Sequence, residues 1–134
     1  FKMKVYLASK FALKDRVIEI SDYLKSHGIK ITYEWWFDNI KGIPVTDKEW
    51  YNHPSVIEVS NKDFNGVDEA DIVVLVSDDT TPLSFNGANV EIGYALAKGK
   101  QVYILGKVDR NALYSRVVFC SSIANLIGMI QTDA

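Results

Sequence analysis

Residues 71–77 read DIVVLVS. Ile72 to Val76 form an unbroken apolar run, β-branched everywhere except Leu75, so the segment cannot be divided into a buried and a solvated face. That pattern predicts a strand covered on both sides, in the middle of a parallel sheet. A parallel neighbour requires a crossover connection, and the flanking sequence supplies several. Upstream, MKVYLAS (3–9) reads as a first strand, and FALKDRVIEISDYLKSHG (11–28) follows it with Leu13, Val17, Ile20 and Leu24 at helical spacing and Gly28 as C-cap. IKITYEWW (29–36) alternates apolar and polar residues and reads as a second strand entering a long loop with Gly42 and Pro44. SVIEVSNKDFNGVDEA (55–70) has the periodicity of a helix, with Gly66 awkwardly placed near its end. Downstream of a loop at 78–86, GANVEIGYALAKG (87–99) predicts a helix, QVYILG (101–106) a fourth strand and RVVFC (116–120) a fifth. SSIANLIGMI (121–130) predicts a closing helix with Ser121 or Ser122 as its N-cap. The alternation predicts an α/β fold, a flavodoxin-like (Rossmann-like) five-stranded parallel sheet in the order 2-1-3-4-5 with helices on both faces.

At 134 residues, with 48% hydrophobic and 24% charged side chains, the chain fits a single globular domain spanning 1–134. The formal net charge of -2 provides no field to draw it to a nucleic-acid polymer or an anionic membrane. Small partners are expected. No run reaches the ~20 apolar residues of a membrane span. No charged leader precedes a long apolar stretch, and Met3 reads as the natural initiator. The single cysteine, Cys120, has no cysteine or histidine at metal-ligand spacing and reads as an inert strand-end thiol. A cytoplasmic location and no metal are expected. No Gly-x-Gly-x-x-Gly or phosphate-loop signature is present, so no cofactor is expected and hydride and phosphoryl transfer are disfavoured.

In such sheets ligands bind beyond the carboxyl ends of the strands, at the switch point between the first and third. That edge should collect residues 8–11, the loop from Trp35, residues 77–86 and the start of the following helix. From Thr80 to Ala97 the only charge is Glu91, and neither i+3 nor i+4 offers a cation to pair with it. A carboxylate facing a helix N-terminus gains ~0.3–1 kcal/mol from the helix dipole, which is the plainer account. Its apolar company (Ala88, Val90, Ile92, Ala95, Leu96) instead predicts a partly desolvated acid, a candidate nucleophile or general base.

KVYLAS (4–9), EADIVVLVS (69–77), GANVEIGYALAKGKQVYILG (87–106) and SSIANLI (121–127), in that order, resemble the nucleoside 2-deoxyribosyltransferase family, which includes related nucleotide N-glycohydrolases. The most specific piece is Glu-Ile-Gly-Tyr-Ala-Leu followed by Gly-Lys and a strand. The resemblance implies a retaining attack on an N-glycosidic bond with Glu91 as nucleophile, Tyr6 orienting it and Asp71 protonating or hydrogen-bonding the leaving base. Asp71 sits at the beginning of its strand, so Asp78 and Asp79, at the carboxyl end, stand as rivals, with an exposed acidic loop as the plain account of both. Six residues before Glu91, where the transferases carry an aspartate and the nucleotide hydrolases a serine, this chain has Phe85. Ser84, Asn86, Gly87 and Asn89 surround that position, and backbone N–H groups there could hold a 5'-hydroxyl or 5'-phosphate.

Ser9 lies at the end of the first strand, and Phe11, Trp35 and Trp36 are placed to stack on a base, an interaction of ~1–3 kcal/mol, or else to pack in the core. Trp50 and Tyr51 read as a lid or subunit contact in a loop before His53. Lys10 and Arg16 are candidate phosphate partners, with a solvated helix face as the plainer account of Arg16; His27 ends a helix and His53 opens a turn. The implied partners are a nucleoside or nucleotide substrate and a free nucleobase, and family habit implies a homodimer or larger homo-oligomer, with Leu113 and Tyr114 as candidate surface. Three readings stay open: a transferase of 2-deoxyribose between bases; an N-glycoside hydrolase of a nucleoside or its 5'-monophosphate, with a nicotinamide dinucleotide as a remote variant; and a noncatalytic nucleotide sensor.

Overall fold

Burial of every residue of the central strand organises the computed structural model, which describes residues 2–38, 40, 42–78 and 85–133. In chain order the elements are β1 (Lys4–Ala8), α1 (Lys14–Ser26), β2 (Lys30–Ile31), α2 (Asp47–Tyr51), α3 (Pro54–Glu69), β3 (Ile72–Val76), α4 (Asn86–Ala97), β4 (Gln101–Leu105), β5 (Val118–Cys120) and α5 (Ile123–Asp133). The five strands are all parallel and lie in the order β2-β1-β3-β4-β5, as expected. Val5 stands opposite Ile72, and Ile72 opposite Gln101, so the carboxyl ends of β1, β3 and β4 finish nearly level.

The two-residue period of the strands separates two apolar layers. Val5, Leu7, Val74 and Val76 pack with Ile20 and Leu24 of α1 and with Leu126 and Ile130 of α5. Tyr6, Ala8, Val73 and Leu75 face the other way, against Val67 of α3 and Ala88, Ile92 and Ala95 of α4. Each fully buried aliphatic side chain contributes ~1.5–3 kcal/mol relative to exposure. Gly28 follows α1 with φ +77 and donates its N–H to the Lys25 carbonyl, closing the helix as its sequence position predicts. Ser122 Oγ accepts the Asn125 N–H at the start of α5, which selects Ser122 over Ser121 as cap.

The second strand is shorter than the expected 29–36. After Ile31 the Thr32 hydroxyl donates to the Gly66 carbonyl at 2.7 Å, and a 3-10 turn forms at Trp35–Phe37. The N–H groups of Lys30 and Thr32 reach the carbonyls of Met3 and Val5, and the next carbonyl in that row, Leu7, is met at 2.6 Å by the indole N–H of Trp35. A side chain thus completes what a longer strand would have done. The fifth strand is also shorter than 116–120, because Asn111 caps a 3-10 helix at Ala112–Arg116 ahead of it. Trp50 and Tyr51 lie in α2 and not in a loop. Thr46 and Glu49 close a reciprocal capping box around its first turn. His53 caps α3, its Nδ1 accepting the Ser55 N–H at 3.1 Å. Among the described residues no helix is long and apolar enough to cross a membrane.

Candidate active site

Three elements converge on one part-buried cluster. Tyr6 projects from β1 toward α3 and α4 because its neighbours Val5 and Leu7 take the opposite face. α3 brings Asp63 and α4 brings Glu91: the Tyr6 hydroxyl hydrogen-bonds with Glu91 Oε2 and lies 3.3 Å from Asp63 Oδ1. The two helices are joined beside it by Tyr94, whose hydroxyl donates to Asp68 at 2.7 Å and whose ring meets Phe64 edge-on at 4.9 Å. α4 buries Ala88, Ile92 and Ala95 and leaves Val90 exposed, so the layer around Glu91 is apolar on its inner side only.

Burial pushes the Glu91 carboxyl up to about 8, helped by the charge of Asp63 and opposed by the Tyr6 hydroxyl. Burial likewise lifts Asp63 to about 6, opposed by Tyr6 and helped by the charge of Asp38. Tyr6 is held well above its ordinary value, first by burial and then by the two carboxylates. The phenol has one proton to donate, and two carboxyl groups face it. Across the interval between those two values the pair carries one proton, held mostly by Glu91, and the form with Glu91 ionised and Asp63 protonated is the minor tautomer. One member can then act as an ionised nucleophile while the other acts as an acid. Tyr33 borders the cluster, its hydroxyl hydrogen-bonded to Asp38 and raised in pKa by burial and by that carboxylate.

A family model described as nucleoside 2-deoxyribosyltransferase matches residues 5–133. The chain belongs to that family. Its members transfer or hydrolyse N-glycosidic bonds, so the chain is an enzyme of this class handling nucleosides or nucleotides. No curated protein sequence matches it significantly. Among solved structures, it is similar to a conserved protein from Enterococcus faecalis V583 (TM-score 0.68, 18% identity, covering 100% of each chain). It is similar also to the 2-deoxyribosyltransferase of Bacillus psychrosaccharolyticus (TM-score 0.63, 18% identity, 92% of this chain and 90% of that one). The CMP N-glycosidase BcmB of Clostridium botulinum matches with TM-score 0.56 and 19% identity over 98% of this chain and 99% of that one. At such identities these likenesses establish the fold.

Of the residues singled out in the sequence, Glu91 and Tyr6 meet in the cluster. Asp71 does not join them. It lies at the amino end of the sheet, exposed, where its carboxylate accepts the Lys4 N–H at 2.9 Å. The third member is Asp63, which the sequence reading passed over. Asp63 falls four residues from both Val59 and Val67, on the stripe that α3 turns inward, so it is a charge on an apolar face just as Glu91 is. Trp36 also departs from expectation, because it is buried in the layer of α1 and α5, on the far side of the sheet from Glu91, and cannot stack on a ligand there.

Trp35 is half-buried at the carboxyl end of β1, and Phe11 is half-buried in the turn after β1 with Lys14 Nζ 4.9 Å from its ring. Ser9 donates its hydroxyl to the Val76 carbonyl at 2.7 Å, and Arg16 Nε donates to the Ser77 carbonyl at 2.6 Å, so both tie the switch point together. Asp78 is half-buried after β3, its carbonyl accepting the Lys107 N–H at 2.8 Å. Asn86 and Gly87 are exposed in the first turn of α4, while Asn89 accepts the Tyr114 hydroxyl. Asp79 and Ser84 lie outside the described residues. Phe85 is only 1% exposed and packs with Tyr6, Ala88 and Leu75, and Lys10 Nζ stands 5.4 Å from its ring.

Proposed function

We propose that the protein cleaves the N-glycosidic bond of a 2'-deoxynucleoside through Glu91 as nucleophile and passes the deoxyribose to a second base. The observation that carries this reading is the Tyr6–Glu91–Asp63 cluster, two part-buried carboxyl groups bridged by one phenol. The ionised Glu91 attacks C1', the bond from C1' to the base nitrogen breaks, and the departing base takes its proton from Asp63. Positive charge that builds on the sugar as the base leaves is stabilised by the carboxylate beneath it. The resulting deoxyribosyl ester is then opened by a ring nitrogen of the incoming base, which returns a proton to Asp63 and frees Glu91. Asp63 takes the part first expected of Asp71, since Asp63 lies within reach of the Tyr6 hydroxyl and Asp71 lies at the opposite end of the strands.

Phe85 favours a second reading, hydrolysis of a nucleoside 5'-monophosphate. A buried apolar ring stands at the position where family transferases carry a sugar-binding aspartate, and the Lys10 ammonium beside it is a group that attracts phosphate. Chromatography of deoxyadenosine, deoxycytidine, deoxyuridine and their 5'-monophosphates, each with and without a free base, separates the two. A new deoxynucleoside formed only with added base supports transfer. Base released regardless supports hydrolysis, and no turnover of any of them overturns both.

A further inference from the structure

We infer that Gly66 is a positioning residue for this reaction: its missing side chain lets the Tyr6 ring lie against α3 and carry its hydroxyl to Glu91 and Asp63. The inference rests on the function proposed for that cluster. A Cβ at Gly66 would stand 2.8 and 2.9 Å from two ring carbons of Tyr6 and 3.0 Å from Cβ of Tyr33, closer than side-chain carbons pack. Gly87, Gly93 and Gly128, also in helices, would meet nothing within 4 Å. Nothing else about position 66 calls for glycine. Its φ is not positive, and in a helix interior alanine is preferred. The contacts with the Tyr6 ring and with Tyr33 Cβ are what remain, and the ring contact is the tighter.

Neither backbone has room to yield. Tyr6 is fully buried on a strand paired on both sides, while α3 is held by the Thr32 hydroxyl on the Gly66 carbonyl and by the buried Val67 next to it. A methyl group at 66 therefore tilts the ring. The hydroxyl, at the far end of that ring, moves most, and with it goes the hydrogen bond that holds Glu91 and lowers its pKa. The groups facing the phenol are Asp63 from α3 and Glu91 from α4, with Asp38 and Tyr33 behind Asp63.

The test is a cycle of Gly66→Ala, Tyr6→Phe and the double variant, with Gly128→Ala as control. The assay uses whichever substrate of the panel the wild type cleaves fastest, and kcat, KM, the pH profile and the melting temperature are recorded. Gly66→Ala should lower kcat at least tenfold with KM changed less than threefold, and should move the pH optimum upward as Tyr6→Phe does. In the Tyr6→Phe background, where there is no hydroxyl to displace, it should cost less than twofold. An unchanged kcat in Gly66→Ala, or an equal loss in both backgrounds, overturns the inference. Should Gly66→Ala fail to fold, adding Tyr6→Leu makes room for the methyl, and a double variant that melts no higher than Gly66→Ala also overturns it. A wild type that releases no base is a failure of the proposed function, and the melting comparison still decides the contact.

Discussion

In the proposed reaction the chemistry turns on Glu91 and Asp63, and their partial burial makes opposite demands on stability and on turnover. An acid whose pKa rises on folding supports the native state below its ordinary value of 4.5 and loses that support as pH climbs to its folded value of about 8. Glu91→Gln should therefore melt higher than the wild type at pH 8, by an amount worth a few kcal/mol at ~1.4 kcal/mol per pH unit, and the margin should vanish near pH 4. A margin independent of pH would show that the carboxyl is not desolvated. Turnover should be bell-shaped, highest between about 6 and about 8, where the pair holds one proton. Glu91→Ala should lower turnover at least ~100-fold in the same assay with the fold retained. Asp63→Asn should lower it ~100-fold for bases that leave protonated, whereas Asp71→Asn should stay near wild type; the reverse order would restore Asp71 to the chemistry. Glu91 was legible in the sequence because no other charge lies between Thr80 and Ala97. Asp63 was not, because Glu58, Lys62, Asp68 and Glu69 lie along the same helix and keep it from standing out as a lone charge.

At the scale of elements, what the sequence declared well were the segments whose partners surround them. β3 is apolar throughout, so its place in the middle of a parallel sheet followed directly. Leu75→Ala removes a fully buried side chain between β3 and the α3–α4 layer and should cost ~2–5 kcal/mol in urea unfolding, with a loss under 1 kcal/mol showing that the layer repacks. β2 was read too long because alternation along 29–36 is an equally good description of a strand and of a chain that ends its ladder with an indole. The hydrogen bond from Trp35 to Leu7 is a tertiary fact that no local pattern encodes. α2 has a start signal in its sequence, Thr46 and Glu49 three residues apart, but at five residues it is too short for apolar periodicity to mark it as a helix.

For the whole molecule, the strand order places the first and third strands side by side, so residues remote in sequence, 6, 63 and 91, meet on one face of the sheet. The opposite end of the sheet is an open edge. β5 pairs on one side only, with Phe119 54% exposed, and nearby Leu113 is 75% exposed. Exposed edges invite association, and we expect a homodimer through this region, read as twice the chain mass by light scattering and reduced to the monomer by Leu113→Glu with Phe119→Glu. A wild type already monomeric at tens of micromolar would refute it. The indole that finishes the β2 ladder has one more consequence. Trp36 is enclosed in the far layer, and Trp50 is bonded to the Ile40 carbonyl on the α2 side, so replacing both with phenylalanine leaves Trp35 as the one tryptophan, anchored where β1 ends and excited selectively at the red edge of the absorption band. Its emission would then be an internal optical gauge of that edge, through which occupancy could be titrated in real time, without label or coupled reaction.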